Sequence, residues 1–510
     1  MGKPHAILVP YPAQGHVIPM MELMQRLVKH GVKVTFVNTN FTHKLVTDAL
    51  SEDDKLNDLA SLVSIPDGLE AGDDRFELGK LSDAIFRVMP GKLEELIEEL
   101  NGKGDDCEKV TCIVADTCMG WSFGIAQKMK IRSVAFWPAS GVVLASLICI
   151  PKLIEDGYID EKGTLMKKQM VRLSPTMPAI SSSDFTWLSI GDLKTQQSLF
   201  DLIQKANEFM KLADYLICNS AYELETSTFT SFPDILPIGP LLASNRVAKQ
   251  IGHFWKEDST CLTWLDQHPI GSVIYVAFGS FTVFDSRQFD ELAVGLEMTN
   301  MPFLWVVRPD MFEDMKNEGF DDRISKRGKI VGWAPQQKVL NHPSVGCFVS
   351  HCGWNSVLEG VSSGLPFMCW PYFADQFINR VYVCDVWKIG LEFDKDESGI
   401  ITREEIKNKL EKLLEDDEYK VRAVDLKEMA AVAMYISDVW KTGLEFEKDE
   451  SGIVSSEEIK NKIEQVLENK EFKVRAIDLK EKVAVAVGAE GSHSDKNFSN
   501  FIDWIQDTNN

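Results

Sequence analysis

The stretch 346–359 constrains the fold of this chain more than any other. GCFVS at 346–350 is a short apolar run, the pattern of a buried strand. His351, Cys352 and Gly353 follow as a tight turn. From Trp354 the spacing becomes helical, with Val357, Leu358 and Val361 on one side. A strand that feeds a helix through a turn is the unit of a parallel α/β sheet, and ligands bind such sheets at the carboxyl ends of the strands. The helix start offers orphan N–H groups and a partial positive charge, which suit a phosphate. Asn355 and Ser356 add side-chain hydrogen bonds to such an anion. Glu359, about one turn past Ser356, is a carboxylate suited to a diol such as a ribose. Taken singly, Asn355 and Ser356 read as caps and Glu359 as a solvated face. Cys347, His351 and Cys352 are spaced too tightly for an ordinary zinc site, so no metal is expected.

The α/β pattern is also present at the start of the chain. Residues 6–9 read as a buried strand ending at Pro10. Residues 17–30 read as a helix with Met20, Leu23, Met24, Leu27 and Val28 on one stripe, Gly31 as its C-terminal glycine, and 33–37 as the next strand. This βαβ opening predicts a parallel sheet. Its first loop is YPAQGH and not Gly-x-Gly-x-x-Gly, which argues against an ordinary dinucleotide enzyme. His16 falls at or just before the helix start. A helix N-terminus disfavours imidazolium, so His16 is expected to stay neutral near pH 7, as a general base must. On its own it reads equally as a capping or exposed histidine. VTCIVA at 110–115 reads as a strand, with Asp116 at its carboxyl end. That carboxylate either orients an imidazole, as in triads, or caps a helix near Trp121.

Residues 333–376, WAPQQKVLNHPSVGCFVSHCGWNSVLEGVSSGLPFMCWPYFADQ, resemble the signature box of plant family 1 UDP-glycosyltransferases along their whole length. The resemblance implies an α/β protein of two Rossmann-like domains facing a cleft, the GT-B fold, that binds a nucleotide sugar. It implies that Trp333 stacks on uracil while Ala334 and Gln336 hold the base edge. His351, Asn355 and Ser356 then contact the diphosphate, with Trp354 beside it, Glu359 takes the ribose hydroxyls, and Asp375 and Gln376 take sugar hydroxyls. The closing Gln376 resembles that of glucose-using members. PAQGH resembles the family segment that carries the catalytic base, and ADTCMGW the segment that carries its aspartate partner. His16 and Asp116 are thereby the implied catalytic pair. Ser280 matches a family position near the donor phosphates; as a loop serine it needs no such role.

The same frame sets the domain expectations. Residues 1–241 form the N-terminal, acceptor-binding domain. Its mixed region 138–219, with the nearby aromatics Phe136, Trp137, Phe185 and Trp187, either shapes the acceptor pocket or is simply core. Within it 144–150 and 200–212 look helical, and 174–183 reads as loop. LPIGPLL at 236–242, followed by a polar stretch to Ser259, reads as the interdomain linker, with 242–258 between the two domains. Residues 259–495 restart the pattern as the UDP-sugar domain. There SVIYVAF (272–278) and 303–307 are strands, Asp285 and Gln288 form a capping box, and Phe289, Leu292, Ala293 and Leu296 share a helix face. Residues 496–510 resemble the family's C-terminal helix, expected to pack back toward the N-terminal domain.

One feature departs from the family. Residues 382–434 recur as 435–487: YVCDVWKIGLEFDKDESGI is answered by YISDVWKTGLEFEKDESGI, and 36 of 53 paired positions are identical. Two copies fall short of a solenoid, so this is a partial tandem duplication near the C-terminus. One copy is extra to the fold, and either could be the one used. The repeat also mimics a calcium loop, with Asp394, Asp396, Ser398, Gly399, Ile400, Thr402 and Glu405 at positions 1, 3, 5, 6, 7, 9 and 12 of an EF-hand. The alternative is a strand, an acidic turn and a helix capped by Thr402 and Glu405. GLEF before the loop is strand-like, where an EF-hand needs a helix.

The net charge of −23 argues against nucleic-acid partners and anionic membrane surfaces. The ten cysteines are scattered with no CxxC pair, which suggests a reducing compartment. No leader peptide is recognised, and no apolar run reaches the ~20 residues of a membrane helix. The expectation is a cytosolic monomer, without cofactor, that takes UDP-glucose as donor co-substrate and a small lipophilic acceptor (phenolic, flavonoid, terpenoid or hormone-like). It is an inverting glucosyltransferase of plant secondary metabolism with His16 as base. The alternatives are a non-catalytic or misfolded duplicate of such an enzyme, and a calcium-binding regulator.

Overall fold

A computed structural model describes residues 4–50, 58–75, 77–103, 109–242, 251–309, 327–432 and 493–507. The first strand, β1 (His5–Val9), is buried along its whole length, as its unbroken apolar run demands of a strand covered on both faces. The helix after it, Gln14–Lys29, buries Val17, Met20, Leu23, Met24 and Leu27 on one side. It closes as the sequence anticipates. Gly31, at φ 81°, donates from its amide to the Val28 carbonyl (2.9 Å), and Val32 donates to the Leu27 carbonyl (3.1 Å), a Schellman turn.

The remaining strands of the first sheet are β2 (Lys33–Thr39), β3 (Ala60–Ile65), β4 (Cys112–Asp116) and β5 (Arg132–Trp137). After β6 (Met170–Val171) and β7 (Ile180–Ser181), which form a separate antiparallel ribbon, come β8 (Tyr215–Cys218) and β9 (Leu236–Pro237). The sheet is parallel and seven-stranded, in the order β3-β2-β1-β4-β5-β8-β9. Two expectations are corrected here. The stretch 174–183 is not all loop, because it supplies β7. LPIGPLL does not begin as linker: Leu236 and Pro237 pair with Ile217 and Cys218 at the sheet edge, where a proline costs no ladder bond.

A second parallel sheet is built from β10 (Val273–Ala277), β11 (Phe303–Val306), β12 (Gly328–Val331), β13 (Val345–Ser350), β14 (Phe367–Cys369) and β15 (Gly390–Glu392), in the order β12-β11-β10-β13-β14-β15. Asp285 caps the helix Ser286–Met298, accepting from the Gln288 amide at 2.8 Å. The box is only half made, since the Gln288 side chain turns to residue 401 and exchanges both hydrogen bonds with its backbone.

Among the described residues, the first copy of the repeat is built into this sheet. It supplies the edge strand β15 and the helices Arg403–Glu415 and Asp417–Val432. Ile406, Leu410 and Leu413 are buried with Phe303 and Trp305 in the core on one face of the sheet. The second copy, 435–487, lies outside the described residues. The calcium-loop-like turn of copy one follows a strand, not a helix. Lys409 Nζ bonds Asp394 Oδ2 at 2.9 Å, and Glu405 accepts from the Asp394 amide, so its acidic groups serve the turn. The helix His493–Gln506 returns to the first domain. Phe498, Phe501, Ile502 and Ile505 enter that domain's core, and Arg26 and Arg132 lie over the Phe498 and Trp504 rings.

Candidate active site

In each sheet the strand order reverses direction once. The first sheet turns between β1 and β4, the second between β10 and β13. Ligands bind open α/β sheets at such switch points, at the carboxyl ends of the strands. At the carboxyl ends of these four strands and just beyond them stand His16, Asp116, Ser280 and His351. The two sides meet across a cleft of ≈ 380 Å³. The two sides are joined by hydrogen bonds: Asn355 Nδ2 to the Gly15 carbonyl (2.9 Å), Trp354 Nε1 to the Asn219 carbonyl (2.7 Å) and Ser140 Oγ to Asn379 Oδ1 (2.8 Å).

On the first side, His16 is the third residue of its helix, one turn inside the cap at Ala13, not before it. Its Nδ1 lies 2.7 Å from Asp116 Oδ2. Asp116 ends β4, is fully buried, and spends its other oxygen on the Cys118 amide at 2.9 Å. It therefore both caps the short turn Thr117–Met119 and orients the imidazole. A carboxylate only accepts, so Nδ1 carries the proton and Nε2 keeps its lone pair. Burial works against charge on His16. The charge and hydrogen bond of Asp116, with Asp375 beyond, outweigh it and hold the pKa above the ordinary 6.5. The helix N-terminus is therefore not what sets this pKa: a carboxylate in contact outweighs a partial helix charge and moves it upward. The ligand atoms of His16, Asp116 and Cys118 lie within 4.8 Å of one another, the one such grouping among the described residues. Cys347 and Cys352 lie in cores on opposite faces of the second sheet, so they do not converge with His351.

On the second side, the helix Trp354–Ser363 points its start into the cleft. His351 sits beneath it, and burial lowers its pKa to about 4, so it is neutral. Its ring fills the space between two glycines. A Cβ on Gly279 would come 2.6 Å from His351 Nε2, and one on Gly353 2.5 Å. Gln336, Ser356 and Glu359 form one network. Gln336 Nε2 donates to Ser356 Oγ (2.9 Å) and Glu359 Oε2 (2.7 Å), Gln337 Nε2 donates to Glu359 Oε1 (3.0 Å), and Tyr275 donates its hydroxyl to Gln336 Oε1 (3.0 Å). Trp333 and Ala334 line the same end of the cleft, and Ser280 lines it after β10. Asp375 is held by Asn379 Nδ2 at 2.7 Å, and burial pushes its pKa up. Gln376 Oε1 accepts from the amides of Tyr372 (2.8 Å) and Phe373 (3.1 Å), which leaves its amide NH₂ as the group able to serve a ligand.

Every implied site residue except Asp116 lines this one cleft, and Asp116 stands directly behind His16. Most of the rest of the lining is apolar, with Phe86, Trp137, Leu144, Trp187, Leu199 and Met210 among it, and it also includes polar groups such as Ser82, Asn207 and His253. Trp137 and Trp187 are thus both core and wall, whereas Phe136 and Phe185 are buried behind it. Sequence reasoning missed Asn379, which is fully buried and joins Asp375, the Cys352 carbonyl and Ser140. Asp375 is only four residues away, but the Cys352 carbonyl and Ser140 come from distant loops, so no local pattern marks the full set.

A family model described as UDP-glucuronosyl and UDP-glucosyl transferase matches residues 256–431. UDP-glycosyltransferase 83A1 of Arabidopsis thaliana is 44% identical over 437 residues, covering 84% of this chain and 92% of that protein. Among solved structures, Os79 from O. sativa in complex with UDP superposes with a TM-score of 0.71 at 26% identity, over 85% of this chain and 96% of Os79. A UDP-glucosyltransferase from Polygonum tinctorium capable of glucosylating indoxyl, in a complex with 3,4-dichloroaniline, gives a TM-score of 0.71 at 28% identity, over 85% and 95%.

Proposed function

The chain belongs to the plant UDP-glycosyltransferase family and has its GT-B fold, and we propose that it transfers glucose from UDP-glucose to a hydroxyl of a small lipophilic acceptor, with inversion and with His16 as general base. The observation that carries this reading is the His16–Asp116 hydrogen bond, which leaves Nε2 free to act at the cleft face opposite the Trp354–Ser363 helix start.

The acceptor hydroxyl gives its proton to His16 Nε2 as its oxygen attacks the anomeric carbon of the sugar. The bond from that carbon to the UDP oxygen breaks, and the electron pair leaves with UDP. Asp116 stabilises the imidazolium that forms. Positioned base catalysis of this kind contributes roughly 10²–10⁴-fold. The negative charge growing on the diphosphate falls at the helix start, beside Asn355, Ser356 and the neutral His351. Fixed dipoles there need no reorganisation as the charge develops. Trp333, Ala334 and Gln336 serve the uracil, Glu359 the ribose, and Asp375 and Gln376 the sugar hydroxyls.

The acceptor lies against the apolar wall. No Lys or Arg is among the described residues that line the cleft, while Asp375 and Glu359 are. This supports an uncharged acceptor such as a phenol, flavonoid or terpenoid alcohol. Nuclear magnetic resonance of the product tests the mechanism: a β-glucoside from the α-linked donor is expected, and an α-glucoside would contradict direct displacement by the acceptor oxygen.

A further inference from the structure

Residues 251–258 run from one domain to the other and touch the site at both ends. Ile251 is buried in the core of the first domain. Gly252, at φ 99°, lies so close to the Gln14–Lys29 helix that a Cβ would meet Met21 Cγ at 3.1 Å. The Phe254 amide donates to Gln14 Oε1 at 2.8 Å, at the first residue of the helix that carries His16. At the other end, the Asp258 amide donates to the Trp333 carbonyl at 2.8 Å.

Between these anchors, two side chains hold the Trp333 indole. Trp255 stacks on it, with ring centroids 5.0 Å apart and planes 29° from parallel. Trp255 is outside the cleft lining, whereas Trp333 is part of it. The Trp333 Nε1–H points to His253 Nδ1 at 3.3 Å. An indole only donates, so Nδ1 must accept and the imidazole proton sits on Nε2. That nitrogen faces Glu257 Oε1 at 3.3 Å, and both side chains are about nine-tenths buried. The Trp333 N–H thus fixes the tautomer and its contact sets the rotation of the indole, while the Glu257 carboxylate beside Nε2 favours that tautomer electrostatically.

We propose that His253 is a positioning residue of the donor site, which sets the Trp333 ring for stacking on the uracil of a uridine nucleotide. This rests on the donor reading above. Locking one aromatic rotor in advance removes an ordering cost from binding. The effect belongs to nucleotide affinity and not to the chemical step.

Two amides of similar character separate this role from a merely structural one. The Asn carbonyl oxygen falls near the place of the imidazole Nδ1, and that of Gln near Nε2. The test titrates the full-length chain with UDP by calorimetry, for the wild type, His253→Asn and His253→Gln, each also in a Trp333→Phe background that lacks the N–H. His253→Gln is expected to weaken UDP binding about fivefold, the scale of one neutral hydrogen bond. The KM for UDP-glucose should rise in step while kcat stays level. His253→Asn should keep wild-type affinity, and in Trp333→Phe the two amides should be indistinguishable. Equal affinities for Asn and Gln in the wild-type background would overturn the proposal, as would a Gln penalty that persists without the Trp333 N–H. A wild-type chain that does not bind UDP would overturn the donor reading itself, and this inference with it.

Discussion

His16 Nδ1 lies 2.7 Å from Asp116 Oδ2, although one residue opens the first helix and the other closes the fourth strand. β1 and β4 are neighbours in the sheet, so the loops that follow them share one end. The parallel topology therefore brings the pair together. Because Asp116 is wholly buried and committed to both Nδ1 and the Cys118 amide, the imidazole has one tautomer to offer the cleft.

That contact makes a pH prediction. The His16 pKa is raised, so the neutral form needed for base catalysis is lost as pH falls through a value above 6.5. The acid limb of kcat/KM should lie above 6.5 for the wild type. Asp116→Asn removes the nearest charge that raises the pKa and leaves the burial that lowers it, with only the more distant Asp375 still opposing, so the limb should move to lower pH, with kcat reduced by about 10²-fold or more. A limb that stays in place in Asp116→Asn would remove His16 from the base role.

Gly353 has φ −60° and ψ 140°, which alanine adopts without strain. Only His351 forbids the side chain. Gly353→Ala should therefore displace His351, at a cost of about 1–3 kcal/mol for overpacking, and weaken UDP binding. Adding His351→Ala should recover the thermal stability but not the affinity. Unchanged UDP binding in Gly353→Ala would show that the His351 ring has no part in holding the diphosphate.

The strand, turn and helix at 346–359 were legible from periodicity, and so were the βαβ opening and the Gly31 turn. Their signals are local: a run of apolar residues, a change from continuous to helical spacing, a glycine where φ must be positive. The pairing of His16 with Asp116 was legible only through family resemblance. The upward direction of the His16 pKa was hidden, because the helix is adjacent in sequence while the stronger carboxylate is adjacent only in space. Asn379 and His253 had no local signature at all. The choice between the two repeat copies was also hidden, because both present the same apolar pattern to one slot in the sheet.

The repeat gives a stability prediction. Leu410 in copy one is fully buried beside Ile406 and Trp305. Leu410→Ala should cost about 2–5 kcal/mol, read as a lower midpoint in urea. Since copy one already supplies β15 and its two helices, deletion of 435–487 should leave transfer activity within about twofold, an effect well under 1 kcal/mol. A deletion variant that is folded but inactive would assign the second copy a part in the site.

The acceptor wall predicts selectivity. A phenol and its ring-carboxylated analogue, offered at equal concentration and neutral pH, should differ by at least tenfold in kcat/KM in favour of the uncharged one. The carboxylate would lose its hydration against apolar residues, with no Lys or Arg among the described lining to pair with it. Equal turnover of the two would place a positive group near the acceptor that the described lining lacks.

The central claim is that His16 takes the proton from an acceptor whose oxygen displaces UDP. It is tested most directly by UDP release from UDP-glucose, with and without a panel of phenols and alcohols, for the wild type and His16→Ala alongside a UDP-binding titration. The account predicts acceptor-dependent release by the wild type and a loss of at least 10²-fold in His16→Ala, with UDP affinity nearly unchanged. Acceptor-dependent release at the wild-type rate by His16→Ala would contradict it.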